Sequence, residues 1–527
     1  MPADFPVSSP NQLASPRGAA ARLRYLWNTN RPLVVALGVA TVLVLGRSAV
    51  FLWWEQAGFD ADQAIYGLMA KHIAEGRAFP MFIYGAQYML AVQAWLAAPL
   101  FAVFGPSVGV LKVPVVLVNV ATGGLLVWLL HKDGGLKPAM AVVASLFYLA
   151  ATPALAGPLV ETGGGNPEPF LYVLLLWVLR SRPLAFGVVF GIGFLHREFT
   201  AYGLSAIVAL ALVNDWRITA ERFRAVALAA VGYLVVWQIV RTGFLFSTPF
   251  GPGAPITAVL GAGDNLEGLA GRFCWAPEAV MPGLISFFGW DLGVAYGTAP
   301  GPLLDSGVRS SLRGSLPGLA GAWPVFVTVF VLAIGRVLWL SLRNRDPIWR
   351  GRAMIGTFLL AVGVQAGAAY IVARCGMYEV HTFRYALLST YTGIGVVALF
   401  LICEPRRVWR LSMAGAVVAW AVASGAGHAQ LLSEYIYNEP TNPRRELATY
   451  LVANNIRYGR APYWTAYSTT FLSGERVVLA STDIIRIDDY QKQVAMHLDE
   501  AVSIEIEPCP SQAGIETSPG GFWVCRD

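Results

Sequence analysis

Two aspartates, Asp60 and Asp62, head the stretch GFDADQAIYGLMAKHIAEGR (58–77), which closely follows a long hydrophobic run. A carboxylate beside an apolar span can cap a helix or take a proton from a hydroxyl. Ile65, Leu68, Met69, His72 and Ile73 recur at helical spacing, so a helix starts at 60–62. Asp60 with Gln63 three residues on fits a capping box. Asp62 falls inside the first turn and is not needed as the cap. Its plainer role is a favourable contact with the helix dipole, worth ~0.3–1 kcal/mol.

Three more clusters put ionisable groups next to apolar runs, where charge is costly and usually functional. ETGGGNPEPF (161–170) is a glycine-rich turn bracketed by Glu161 and Glu168. FLHREFTAY (194–202) sets His196, Arg197 and Glu198 in a row. ARCGMYEVHTFRYALL (373–388) brings Arg374, Glu379, His381, Arg384 and Tyr385 to the head of a span. Each has a plainer reading as a surface turn, an Arg–Glu pair or an interfacial anchor. APEAVMPGLISFFGWDLGVAYG (276–297) adds Glu278 and Asp291 among aromatics, a weaker signal. Guanidiniums suit a phosphate or pyrophosphate. Carboxylates, cations and an apolar body together suggest transfer of a sugar from a polyprenyl phosphate. Cations would stabilise the leaving phosphate, and a carboxylate would deprotonate the incoming hydroxyl on the opposite face.

The elements that must position these groups are membrane spans. Of 527 residues 56% are hydrophobic and 13% charged, about half the charge of a soluble domain. The net charge of +6 does not indicate nucleic acid, because the arginines sit in short clusters between hydrophobic runs. Such clusters mark the cytoplasmic side. They occur at 17–31, 131–137, 180–182, 217–224, 343–352 and 406–410. About eleven spans are expected, at 33–53, 107–130, 138–157, 169–181, 184–196, 199–213, 224–242, 322–341, 353–373, 385–403 and 409–427. The three runs in 169–213 are short for a straight span. Keeping every basic cluster inside makes 88–104 a helix lying on the outer surface. The whole of 54–106 is then an outer loop with two surface helices. Residues 1–30 are expected to form a disordered cytoplasmic tail, 31–428 the membrane domain and 243–320 a long outer loop.

Residues 429–527 change composition, alternating a helical segment with short β-branched runs. They read as a small soluble α/β domain on the outer face. Cys509 and Cys525 lie in it and could pair in an oxidising compartment. Cys274 and Cys375 could also pair, and Cys403 is expected to stay free. No zinc-like Cys–His spacing, Walker motif or dinucleotide fingerprint is present.

The order of a span, FDADQAIYGLMAKHIAEGRAFPMFIYGAQYM, a surface helix, LAAPLFAVFG and a further span resembles the GT-C membrane glycosyltransferases. The similarity is to their branch of protein O-mannosyltransferases, aminoarabinose transferases and galacturonosyltransferase-like proteins, which is bacterial in look. HTFRYALL resembles that family's Arg-Tyr segment before a late span. PYWTAYSTTFLSGERVVLAS resembles the outer domain of some members. The resemblance implies a mainly α, polytopic GT-C fold and an inverting, polyprenyl-phosphate-sugar-dependent glycosyltransferase. It implies Asp62 as the base. The family's Asp-Glu pair is Asp62–Gln63 here, which leaves any acid-dependent metal site open, so a divalent metal is neither required nor excluded.

The donor phosphate would then meet Arg197, Arg384, His196, His381 and Tyr385. Glu161, Glu168 and Asp291 would contact acceptor or sugar. The expected partners are a polyprenyl-phosphate-linked sugar, membrane lipid and a glycan, lipid or protein acceptor. The expected location is the inner membrane, with the N-terminus cytoplasmic and the active site and C-terminus outside. A transporter or flippase of a lipid-linked glycan is the alternative.

Overall fold

The computed structural model describes residues 19–163, 165–217, 219–247, 276–298, 316, 318–319, 321–343, 346–373, 380–509, 516–517 and 520–526. Residues 1–18 of the expected 1–30 tail lie outside them, as do Arg374 and Glu379, a Cys274–Cys375 pair and most of 243–320. Residues 19–30, expected to be disordered, are helical and continue into the first span.

The chain is mostly helical. Helix α1 (Ala19–Trp53) leads into α2 (Ala61–Ala74), a hairpin of β1 (Phe82–Ile83) and β2 (Ala86–Leu90), then α3 (Val92–Phe104) and α4 (Val108–Lys132). Run 88–104 is thus not one helix. Its first residues close the hairpin, and the helix begins only at Val92. Next come α5 (Pro138–Leu149), α6 (Pro153–Val160), α7 (Glu168–Leu179), α8 (Pro183–His196), α9 (Ala201–Asn214), α10 (Ala220–Phe246) and α11 (Pro277–Ser286). The membrane part closes with α12 (Trp323–Arg343), α13 (Pro347–Ala373), a 3-10 stretch Val380–Ser389, α14 (Thr390–Cys403) and α15 (Arg407–Tyr437).

Seven described helices are long and apolar enough to cross a membrane, and the chain is an integral membrane protein. The α5–α6 pair, bent by 80°, adds an eighth if it is one span. Pro153 at the first position of α6 holds Thr152 extended, which breaks the helix there. The expectation of eleven spans exceeds this number. α7, α8 and α9 have 12, 14 and 14 residues. At 1.5 Å per residue they reach about 18–21 Å, short of the ~30 Å hydrocarbon layer.

The C-terminal part is a small α/β unit, as its composition suggests. It contains α16 (Pro443–Ala453), β3 (Tyr458–Ala461), α17 (Tyr463–Leu472), β4 (Val478–Ser481), α18 (Asp488–Ala495), β5 (Val502–Glu505), β6 (Glu516–Thr517) and β7 (Trp523–Arg526). The sheet order is β4-β3-β5-β7-β6, parallel across β4, β3 and β5 and antiparallel beyond. A disulfide joins Cys509 to Cys525, and Cys403 is free and buried.

This unit is welded to the 54–106 segment. Ile65, Leu68 and Met69 of α2 share one apolar core with Tyr463, Tyr467 and Phe471 of α17. A Cβ on Gly67 would come within 2.5 Å of the Phe471 ring, so only glycine admits the helix that close. Arg445 bonds Glu55 at 2.6 and 2.7 Å. Lys71 and His72 reach Glu475 at 2.5 and 2.9 Å, with Arg77 and Tyr490 joining the same carboxylate. These contacts put the C-terminal unit at the end of the bundle where α1 finishes and α4 begins. The basic groups near Asp133 and Arg180, paired at 3.3 Å, lie at the other end of α4.

Candidate active site

The site grows from the start of α2. Asp60 is the helix cap, with extended backbone, and its Oδ1 accepts from the Gln63 N–H at 3.0 Å. The Gln63 side chain does not close the reciprocal half of a capping box. Its Nε2 donates to the Gly58 carbonyl, and its Oε1 accepts from the Thr162 N–H at 3.3 Å. The amide therefore ties the head of α2 to the turn after α6. With the cap made by Asp60, Asp62 is left to face elsewhere.

Asp62 lines a cavity of about 260 Å³. Its Oδ1 accepts from the Tyr463 hydroxyl at 2.6 Å, and its Oδ2 lies 3.6 Å from Arg384 Nη1. The Asp62 side chain remains 23% exposed, so the carboxylate can still be reached. Arg197, Arg384, Tyr385, Tyr463 and Arg486 line the same cavity. The Arg197 and Arg384 guanidiniums stand 5.7 and 5.3 Å from the Tyr385 ring centre. Arg197 is only 4% exposed, and its Nε, like that of Arg384, has no hydrogen-bond partner among the described residues. Buried guanidinium N–H groups without acceptors are costly unless a ligand supplies them.

The glycine-rich turn explains how Arg197 fits. Gly165 has φ +85°, a conformation that side chains disfavour, and a Cβ there would meet Arg197 Cγ at 2.6 Å. Two motifs that are distant in sequence are therefore one packed unit. The helix break that frees Arg197 is local: Arg197 is extended, and a 3-10 turn, Glu198–Thr200, follows it.

The other expected site residues are placed less centrally. Glu161 is half-buried, and its Oε2 accepts from Asn166 Nδ2 at 3.0 Å. Burial, then the charge of Asp60, pushes its carboxyl up to about 7, against the pull of Arg384 and Lys112. Asp60 is likewise raised, by burial first and then by Asp62. His196 does not line this cavity. It is fully buried, with Nδ1 3.1 Å from the Tyr172 hydroxyl, because it still belongs to α8 and faces α7. Glu168 is buried and accepts from Gln93 Nε2, and it too stands off the cavity lining. Asp291 is buried in a π-helical turn, again outside this lining. His381 belongs to the 3-10 stretch, but its side chain is outside the described residues.

Tyr463 and Arg486 are site residues that sequence reading missed. Tyr463 stood inside the quoted PYWTAY motif, but nothing local tied it to Asp62, 401 positions away. Among the described residues no three His, Cys, Asp or Glu side chains gather in a way that could hold a metal ion.

No protein-family model matches the chain, and no curated protein does. Solved structures do match. ArnT from Cupriavidus metallidurans, bound to undecaprenyl phosphate, has 11% identity and a TM-score of 0.52, over 94% of this chain and 98% of that one. The oligosaccharyltransferase of Archaeoglobus fulgidus, in complex with Zn and sulfate, has 14% identity and a TM-score of 0.46, over 90% of this chain and 67% of that one. ArnT in the apo state has 12% identity and a TM-score of 0.43, over 90% and 96%. At such identities the likeness is one of fold, and the undecaprenyl-phosphate-bound ArnT carries it. The fold is that of the GT-C membrane glycosyltransferases, as expected.

Proposed function

We propose that the chain is an inverting glycosyltransferase using a polyprenyl-phosphate-linked sugar. The observation that carries this reading is one cavity lined by an accessible carboxylate and by two guanidiniums flanking one tyrosine ring. The acceptor hydroxyl gives its proton to Asp62 while its oxygen attacks the anomeric carbon. The bond from that carbon to the phosphate oxygen breaks, and the electron pair leaves with the polyprenyl phosphate. Arg384 and Arg197 take up the charge of the leaving phosphate, whose oxygens supply the acceptors that the two Nε–H groups lack. Attack and departure on opposite faces invert the anomeric centre.

Fold-level likeness to an ArnT that holds undecaprenyl phosphate supports the donor's lipid class. An apolar cavity of about 430 Å³, walled by Phe287, Phe326, Phe330 and Ile371 on the other side of α13, suits a prenyl chain. The disulfide supports an oxidising, extracytoplasmic setting for the C-terminal unit. The acceptor is a glycan, a lipid or a protein hydroxyl of the envelope.

The alternative of a lipid-linked-glycan flippase draws on the bent α5–α6 pair and on Arg47, buried inside α1 and bonded to Asn119 Oδ1 at 2.7 Å. The Asp62→Asn variant separates the two. Envelope glycans and glycolipids are compared by mass spectrometry in cells carrying wild type, variant or no gene. Loss of a glycan in the variant, with the protein folded and inserted, is expected. An unchanged glycan profile removes Asp62 from the mechanism.

A further inference from the structure

Tyr463 belongs to the C-terminal unit, yet its hydroxyl donates a hydrogen bond to the candidate base, 2.6 Å from Asp62 Oδ1. The ring cannot drift. Tyr463 is 2% exposed and opens α17. Its backbone N–H donates to Asp483 Oδ1 at 2.7 Å, and Asp483 also accepts from Ser481 Oγ at the end of β4. Trp464 and Tyr467 stand edge-on to its ring at centroid distances of 5.2 and 5.3 Å. The phenol is thus aimed from a sheet edge at one oxygen of Asp62. The other oxygen, Oδ2, meets only the Arg384 ion pair among the described residues, at a distance too long for a hydrogen bond.

We propose that Tyr463 is a positioning residue: it holds Asp62 Oδ1 so that Oδ2 is the oxygen that receives the acceptor's proton. The inference rests on reading Asp62 as the base. In the step, the acceptor O–H bond breaks, its proton forms a bond to Oδ2, and the Tyr463 O–H stays intact. Burial, and next the charge of Asp62, push the phenol far above its ordinary value, which keeps it a donor. The charged groups around Asp62 are Asp60 at the cap of its own helix, Glu161 in the turn after α6, Arg384 before α14 and Arg486 from the C-terminal unit. The active site is then complete only when the C-terminal unit is docked on α2.

The test uses the full chain in nanodiscs, incubated with the total lipid extract of the host envelope, with released polyprenyl phosphate measured against pH. Tyr463→Phe is expected to lower kcat by roughly 10–100-fold with the donor KM within about twofold. A hydrogen bond donated to a carboxylate favours its charged form, so losing it moves the acidic limb of kcat/KM to higher pH. A fall in rate with an unmoved limb would mean a structural role and overturns the proposal, as does wild-type behaviour. Asp62→Asn is run alongside. An inactive Asp62→Asn with a wild-type-like Tyr463→Phe sinks the Tyr463 role alone, and an active Asp62→Asn sinks both readings. Should Tyr463→Phe fail to fold, Asp483→Ala leaves the phenol in place and removes the acceptor shared by the Tyr463 N–H and the Ser481 hydroxyl. The same limb shift is expected there, and an unmoved limb overturns the proposal.

Discussion

Burial and the charge of Asp60 raise the Glu161 carboxyl, and the titration of Glu161 should show in stability. The folded protein raises the Glu161 carboxyl from an ordinary 4.5 to about 7. A carboxyl raised on folding binds its proton more tightly in the native state. Its stabilising contribution is therefore complete below about pH 4.5 and is lost as pH rises through about 7. Glu161→Gln should remove that loss. Melting temperatures of wild type and variant, measured in one detergent across this window, should diverge as pH rises, with wild type falling relative to the variant. Parallel curves would show that Glu161 titrates no differently on folding. The same residue scale explains the glycine-rich turn, where Gly165 makes room for the Arg197 stem.

At the scale of elements, the decisive junction is α2 against the C-terminal unit. Glu475 gathers Lys71, His72, Arg77 and Tyr490 around one carboxylate that is 9% exposed. Burial acts to raise this carboxyl, but the hydrogen bonds from His72 and Arg77 outweigh it and hold it well below the usual carboxylate range. Its stabilisation is thus present above that range and lost as pH falls below it. Glu475→Gln should loosen the junction by on the order of 1–3 kcal/mol, discounted because Lys71 and Arg77 are partly exposed. Limited proteolysis should then cut the 438–442 connection faster than in wild type. Equal rates would mean that the shared apolar core alone holds the unit in place.

For the whole molecule, the proposed chemistry requires the C-terminal unit and the Asp62 cavity to share the outer side of the membrane. Both lie at the end of the bundle away from the Asp133–Arg180 pair. A single cysteine placed at exposed Lys492 or Glu500 in a Cys-free background should react with a membrane-impermeant maleimide in intact cells. One placed at Asp346, between α12 and α13, should react only after lysis. The reverse pattern would put the site on the cytoplasmic side and remove the envelope acceptor.

Composition and periodicity by themselves determined that the chain lives in a membrane, that a helix begins at Asp60, and that the last part of the chain is an α/β unit. The expected start at 429 falls inside α15, however, which runs on to Tyr437, and the unit opens with α16 at Pro443. The membrane and helix readings follow from local chemistry: apolar runs need lipid, and the first turn of a helix needs a cap. Quoted motifs also pointed to Asp62, Arg197, Arg384 and Tyr385, because charge beside apolar runs is costly wherever the chain goes. Only the tertiary structure decided which of these groups meet. It brought Arg197 beside Arg384, turned His196 toward Tyr172 and left Glu168 against Gln93. It delivered Tyr463 to Asp62 across 401 positions. Helix length limited the spans, and the close approach at Gly67 set the docking. Distances between side chains far apart in sequence depend on how helices pack, and no periodicity within a single segment encodes that.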